Sequence, residues 1–290
     1  QSSSGWLGRT ADLLNSTYTS SSSKVPMNLS IGANNVMLTG EKTVAYKLTP
    51  VGSPRLQGLD GIGWSSVAGS ALRRMYQGNR SNLLESHLNT VFQRGIAAES
   101  FVTSALAANP LANTFPSTGL AQQLYGVARM MLASNTLGHR RQVFFVQLGG
   151  FDFHDDLISR QAAKMAELNS ALQAFCTFLQ ANNLWSKSVL FTTSEFGRAL
   201  QSNGRGADHG WGSHHFVIGG AVRGKKIYGQ WPRVGLRGPE DAGQGRLLPT
   251  TSLAQYSATL ASWFGVSSSD MTTVAPYIGN FSNQNLGFLS

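Results

Sequence analysis

The acids and histidines are the first residues to consider, because charge is scarce in this chain. Asp and Glu together number 14, His numbers 6, and charged residues make up 13% of the 290. Three segments concentrate them: Gly149-Gly150-Phe151-Asp152-Phe153-His154-Asp155-Asp156, then Ser194-Glu195-Phe196-Gly197-Arg198, then Ala207-Asp208-His209-Gly210 with His214 and His215 close behind. Carboxylate oxygen and imidazole nitrogen in this mixture suit a divalent metal. Zinc comes first, with manganese, magnesium or calcium as alternatives. Asp-x-His on an irregular loop can present both side chains to one ion. Two such ions a few ångströms apart would bind a phosphoryl or sulfuryl oxygen and activate a nucleophile. The candidate ligands are Asp152, His154, Glu195, Asp208, His209 and His214. Arg198 is the candidate catalytic side chain, since its planar fork can grip an oxyanion at two points.

Each piece also has a plainer reading. Asp155 and Asp156 suit the start of a helix, where negative charge complements the dipole. Asp208-His209-Gly210 taken singly is an ordinary polar turn. His214 and His215 alternate across a strand, so at most one faces a given site. His87 and His139 lie on helical stretches and default to surface or capping roles. Glu195, read as following a buried strand, needs a partner, and an ion pair with Arg198 is as good a solution as a metal.

The elements that must carry these residues are legible in the pattern. Val143 to Leu148 is a continuous apolar run, expected as a strand buried on both faces and ended by Gly149-Gly150. A long amphipathic helix follows from Asp155 to about Asn183, with Ile158, Met165, Leu168, Leu172, Phe175 and Leu179 on one face. A second apolar run, Ser188 to Thr193, completes a βαβ unit whose crossover is expected to be right-handed. Sites in open parallel sheets lie at the carboxyl ends of strands, which predicts Asp152, His154 and Glu195 at one sheet edge. His215 to Ile218 reads as another strand, and Leu253 to Trp263 as a last helix closed by Gly265. Upstream, Gln1 to about Gly58 is rich in Ser, Gly, Asn and Thr, with short β-type pieces at Met27 to Ile31 and Thr43 to Leu48. Helical spacing runs from Trp64 to Gly138, where Met75, Met130 and Met131 are expected in the core. The organisation expected is one α/β domain over 1–290: irregular over 1–60, helical over 64–138, and a metal-site core over 143–290. Its sheet is read as mostly parallel and central, flanked by helices.

Hydrophobic residues make up 41% of the chain, enough to bury a substantial core. The formal net charge of +9 draws anions in general, so an anionic ester or an acidic polysaccharide is the expected partner class. The cations are scattered without a basic run or an arginine-aromatic ladder, so no specific nucleic-acid binding is expected. The single cysteine, Cys176, reads as a buried inert thiol. No stretch approaches the roughly 18 uninterrupted apolar residues of a membrane span. The chain opens on Gln1 without a signal-peptide pattern, which we read as a processed form or a fragment.

At Gly149 to His154, Ser194 to Arg198, Asn203-Gly204 and Asp208 to Gly212 the chain resembles the exported bacterial family called domain of unknown function 1501. That family is grouped in the alkaline phosphatase/sulfatase superfamily. The likeness continues through His214 to Val217, Gly219 to Val222, Ile227 to Gly229, Gly5 to Arg9 and Trp263 to Gly265. Phe153 and Ala199 stand where the family usually carries Thr. The resemblance implies an alkaline phosphatase-like fold and a metal-dependent hydrolase of phosphate or sulfate esters, periplasmic or secreted, acting on polysaccharide or lipid. It implies that Asp152, His154 and His209 hold one metal and that Glu195 serves a second. Family members have an additional amino-terminal part carrying a metal-binding Asp and the nucleophile region. This chain is read as the carboxy-terminal two-thirds, with that missing segment as a partner. The alternative is a non-catalytic surface binding or assembly protein on the same scaffold.

Overall fold

A computed structural model describes residues 3–59, 65–78 and 80–290. Trp64, expected to open the helical part, lies outside the described residues.

The amino-terminal stretch is more ordered than its composition suggests. Helix α1 (Trp6–Tyr18) forms there without a side-chain cap or an acidic first turn. Its stability comes from packing: Trp6, Leu7, Thr10 and Ala11 lie along one buried face. Gly8 permits the close approach, since a Cβ there would stand 2.1 Å from the backbone of Thr39. Asp12 then accepts hydrogen bonds from the backbone amides of Glu41, Lys42 and Thr43 and fastens that loop to the helix.

The piece expected as part of an irregular layer is the middle strand of a sheet. Strand β1 (Asn28–Ser30) lies between β2 (Tyr46–Lys47) and β3 (Val143–Phe145), all parallel, with Leu29 opposite Tyr46 and Phe144. Side chains leave β3 alternately for two different cores. Phe144, with Val146 and Leu148 beyond the strand, packs with Leu29, Ile31, Leu124, Val127, Phe175 and Leu179. Val143 and Phe145 pack with Trp6, Leu7, Leu38, Leu260, Val274 and Ile278. The first core is closed by α3 (Leu83–Ala108), α4 (Gly119–Leu132) and α5 (Leu157–Ala181). The second is closed by α1, α6 (Leu253–Phe264) and α7 (Met271–Val274). The result is a mixed α/β fold with a small parallel sheet. The central, mostly parallel sheet expected from the sequence is replaced by this three-stranded sheet and two separate antiparallel pairs among the described residues.

The expected βαβ unit is corrected in its pairing. The strand β4 (Val189–Phe191) follows α5 as predicted, and its side chains divide between the same two cores as those of β3. Among the described residues, however, its ladder is antiparallel, with β7 (Val217–Gly219), and not with β3. A separate hairpin joins β5 (Gly197–Ser202) to β6 (Ala207–Gly210), with Arg198 opposite His209.

Two core assignments also change. Met130 is buried, but Met75 is 58% exposed on α2 (Ser66–Gln77). The stripe Leu84, Leu88 and Val91 on the first half of α3 also faces solvent. Cys176 is half-buried, and burial pushes its thiol above the usual range, which keeps it unreactive.

Candidate metal centre

The loop after β3 presents two candidate ligands because the residue between them is apolar. The amide of Phe153 donates to the carbonyl of Phe151 at 2.9 Å, a tight turn centred on Asp152. Phe153 is only 6% exposed. With that ring turned in, Asp152 and His154 on either side are turned out, at 61% and 53% side-chain exposure. The hairpin of β5 and β6 is pressed against this loop. Gly206 is buried at its turn, where a Cβ would stand 2.8 Å from the carbonyl oxygen of His154.

Asp152, His154 and His209 converge there, the one cluster of possible metal donors among the described residues. Asp152 Oδ1 lies 2.7 Å from His209 Nε2 and 3.1 Å from His154 Nε2. Around a tetrahedral ion with bonds of about 2.0–2.2 Å, neighbouring donor atoms stand roughly 3.3–3.5 Å apart. The present spacing is that of hydrogen bonds, and a tetrahedral ion needs the two contacts to open by about 0.2–0.8 Å. One carboxylate oxygen and two imidazole nitrogens fit zinc or a similar cation.

Asp208 takes a different place from the one expected. Its Oδ1 lies 3.2 Å from His154 Nδ1, on the ring nitrogen away from Asp152. A carboxylate in that position holds the imidazole in one tautomer and leaves Nε2 to a metal. Hydrogen bonding from His209 holds the Asp152 carboxyl below the usual carboxylate range, helped by the charges of His154, His209 and Arg198. Hydrogen bonds from His154 and Asn203 hold Asp208 low as well.

His209 is steadied by Phe196, whose ring stacks on it at 3.8 Å with a 9° interplanar angle. The Arg198 guanidinium lies 5.1 Å from the Phe196 ring centre on a side chain only 21% exposed. It donates to the carbonyls of Ala207 and Phe151, both at 2.5 Å, and stands 3.7 Å from Asp152 Oδ1.

Several expected members are elsewhere. Glu195 is exposed and outside the donor cluster, so no burial penalty demands a partner for it. Arg198 turns to Asp152, not to Glu195. His214 lies against the rings of Phe216 and Trp231 at 6.2 and 6.0 Å. His215 is exposed, its ring 6.1 Å from that of Tyr256, and desolvation lowers its pKa. Asp155 pairs with Arg160 at 2.9 Å. Asp156 occupies the cap position of α5 in a left-handed conformation, φ 46°, without capping the helix through its side chain. His139 is a core residue, 3% exposed, its Nε2 3.0 Å from the Val25 carbonyl and its Nδ1 3.2 Å from Gln142 Nε2. Asn203 and Phe196 join the site unannounced by their residue types. The spacing of Asn203-Gly204 just before Asp208 was the available signal for the turn.

The family described as Protein of unknown function (DUF1501) matches residues 2–262 of the chain. No curated protein matches it, and no solved structure does.

Proposed function

The chain belongs to the DUF1501 family, and from that premise we propose that it is a metal-dependent hydrolase of phosphate or sulfate esters. The proposal includes an alkaline phosphatase-like scaffold, export to the periplasm or beyond, and an anionic ester as substrate. The observation that carries it is the convergence of Asp152, His154 and His209, with Asp208 on the far nitrogen of His154. Three donors with roughly half their surface open leave coordination positions for substrate and water, the arrangement of catalytic sites more than of closed structural ones. A divalent ion held there supplies Lewis acidity toward a phosphoryl or sulfuryl oxygen and a water of lowered pKa. The chain's own residues bind that ion through one oxygen and two nitrogens, and Asp208 fixes which nitrogen of His154 is offered. Arg246 donates to the His209 carbonyl at 3.2 Å and places a cation beside the site, which favours anionic esters.

The test is turnover of a generic aryl phosphate and aryl sulfate by the purified protein, with and without a chelator, beside Asp152→Ala. Activity lost on both treatments supports the proposal. Activity indifferent to both refutes it.

A second reading, a non-catalytic binding or assembly protein, is favoured by two surface concavities that lie apart from the donors. One is lined by Asn15, Ser20 and Lys24, the other by Leu48, Leu106 and Met130. Glycan binding that survives chelation, without turnover, supports this reading. Metal-dependent turnover counts against it.

A further inference from the structure

Arg198 was singled out as a grip for an oxyanion, and its surroundings argue for another use. Its two terminal nitrogens each meet a backbone carbonyl, and the carbonyls belong to different segments. Phe151 precedes Asp152, and Ala207 lies two residues before His209. The face of the guanidinium lies over Phe196, the ring stacked on His209. One side chain thus touches the neighbours of two of the three metal donors. A planar fork suits this task, because it fixes two acceptors at a set distance and angle, which a lysine's point charge cannot do.

A second brace stands on the other side of the donors. Asn203 Nδ2 donates to the His154 carbonyl at 3.1 Å and reaches Asp208 Oδ1 at 3.4 Å. Its Oδ1 accepts from the amides of Arg205 at 3.0 Å and Gly206 at 2.7 Å. The full hydrogen-bonding capacity of the amide is used: the oxygen forms the hairpin turn, and the nitrogen ties that turn to the His154 loop.

We propose that Arg198 is a positioning residue that braces the two ligand-bearing segments and, with Asn203, sets the metal affinity of the site. The inference rests on the metal reading above and assigns Arg198 a role other than gripping substrate. It predicts that removing the fork while keeping the charge weakens metal binding.

The experiment is a zinc titration against a chromophoric chelator on the full chain: wild type, Arg198→Lys, and Asn203→Asp. Arg198→Lys conserves charge and loses the fork. Asn203→Asp keeps the acceptor that forms the turn and loses both donors. Each is expected to bind zinc about tenfold more weakly, the lower end of the effect of outer-shell partners. Asn203→Asp is exposed and folds even if Arg198→Lys does not, and its added negative charge alone would strengthen cation binding. Wild-type affinity in both variants overturns the proposal. A raised KM for aryl phosphate at saturating zinc in Arg198→Lys, with zinc affinity unchanged, overturns it in favour of a substrate grip. A wild type that takes up no zinc overturns the metal reading itself, and this proposal with it.

Discussion

Gly206→Ala is the substitution through which the packing of the hairpin on the ligand loop can be measured. A Cβ at position 206 stands 2.8 Å from the carbonyl oxygen of His154 and 2.9 Å from its carbon, where ordinary contact begins at 3.4 Å. Both neighbours are backbone, so no flexible side chain can move aside. The hairpin and the loop must separate by about 0.6 Å, the difference between those contacts. The same movement stretches the 3.2 Å contact between His154 and Asp208 toward about 3.8 Å, past hydrogen-bonding range. Overpacking of this kind costs about 1–3 kcal/mol, which in a chain of this size lowers the unfolding midpoint by roughly 2–4 °C for each kcal/mol. Thermal unfolding and zinc titration of the variant are the assays. Both a lower midpoint and weaker zinc binding are expected. A variant that melts and binds zinc like wild type would show that the hairpin does not press on the ligand loop, and the described geometry would be wrong.

Three further outcomes follow from the same contacts. Asp208→Ala should weaken zinc binding about tenfold, as removal of an orienting carboxylate does, whereas Asp152→Ala removes a ligand and should abolish binding; equal losses in a chelator titration would make Asp208 a ligand. Gly197→Ala places a Cβ 1.9 Å from the Gly212 carbonyl oxygen, so the segment after β6 cannot pack against β5 as it stands, and a loss above about 3 kcal/mol or insoluble expression is expected. Burial lowers the pKa of His139 below 6.5, with His215 shifted the same way. Each stays neutral in the fold while the unfolded chain gains a proton, so stability is lost as pH falls below about 6.5. The acid-side slope of the unfolding midpoint should flatten in His139→Gln, and an unchanged slope would refute that assignment.

The sequence was most readable where side-chain period and chemistry coincide. The run at Val143 locates a strand, the apolar face ending in Phe175 and Leu179 locates α5, and Asp152, His154 and His209 do converge. Their neighbours were harder to place. The β1 strand is three residues long and contains Asn28 and Ser30, fully or almost fully buried, so no alternation marks it as the middle of a sheet. Helix α1 lacks a side-chain cap at its N-terminus and is held by tertiary packing, which local propensity does not report. The partner of β4 depends on where β7 returns, and order along the chain does not encode that. Glu195 and Met75 were read as buried from their positions in apolar patterns, yet both face solvent. His139 went the other way: its burial follows from the distant residues Val25 and Ser23, more than a hundred positions upstream.

The most direct test of the account is the zinc content of the protein by elemental analysis, after loading with zinc and removal of excess by gel filtration. About one zinc per chain is expected, lost in Asp152→Ala and in His154→Ala with the fold intact by circular dichroism. Wild-type protein that elutes without zinc, or variants that retain as much as wild type, would contradict it.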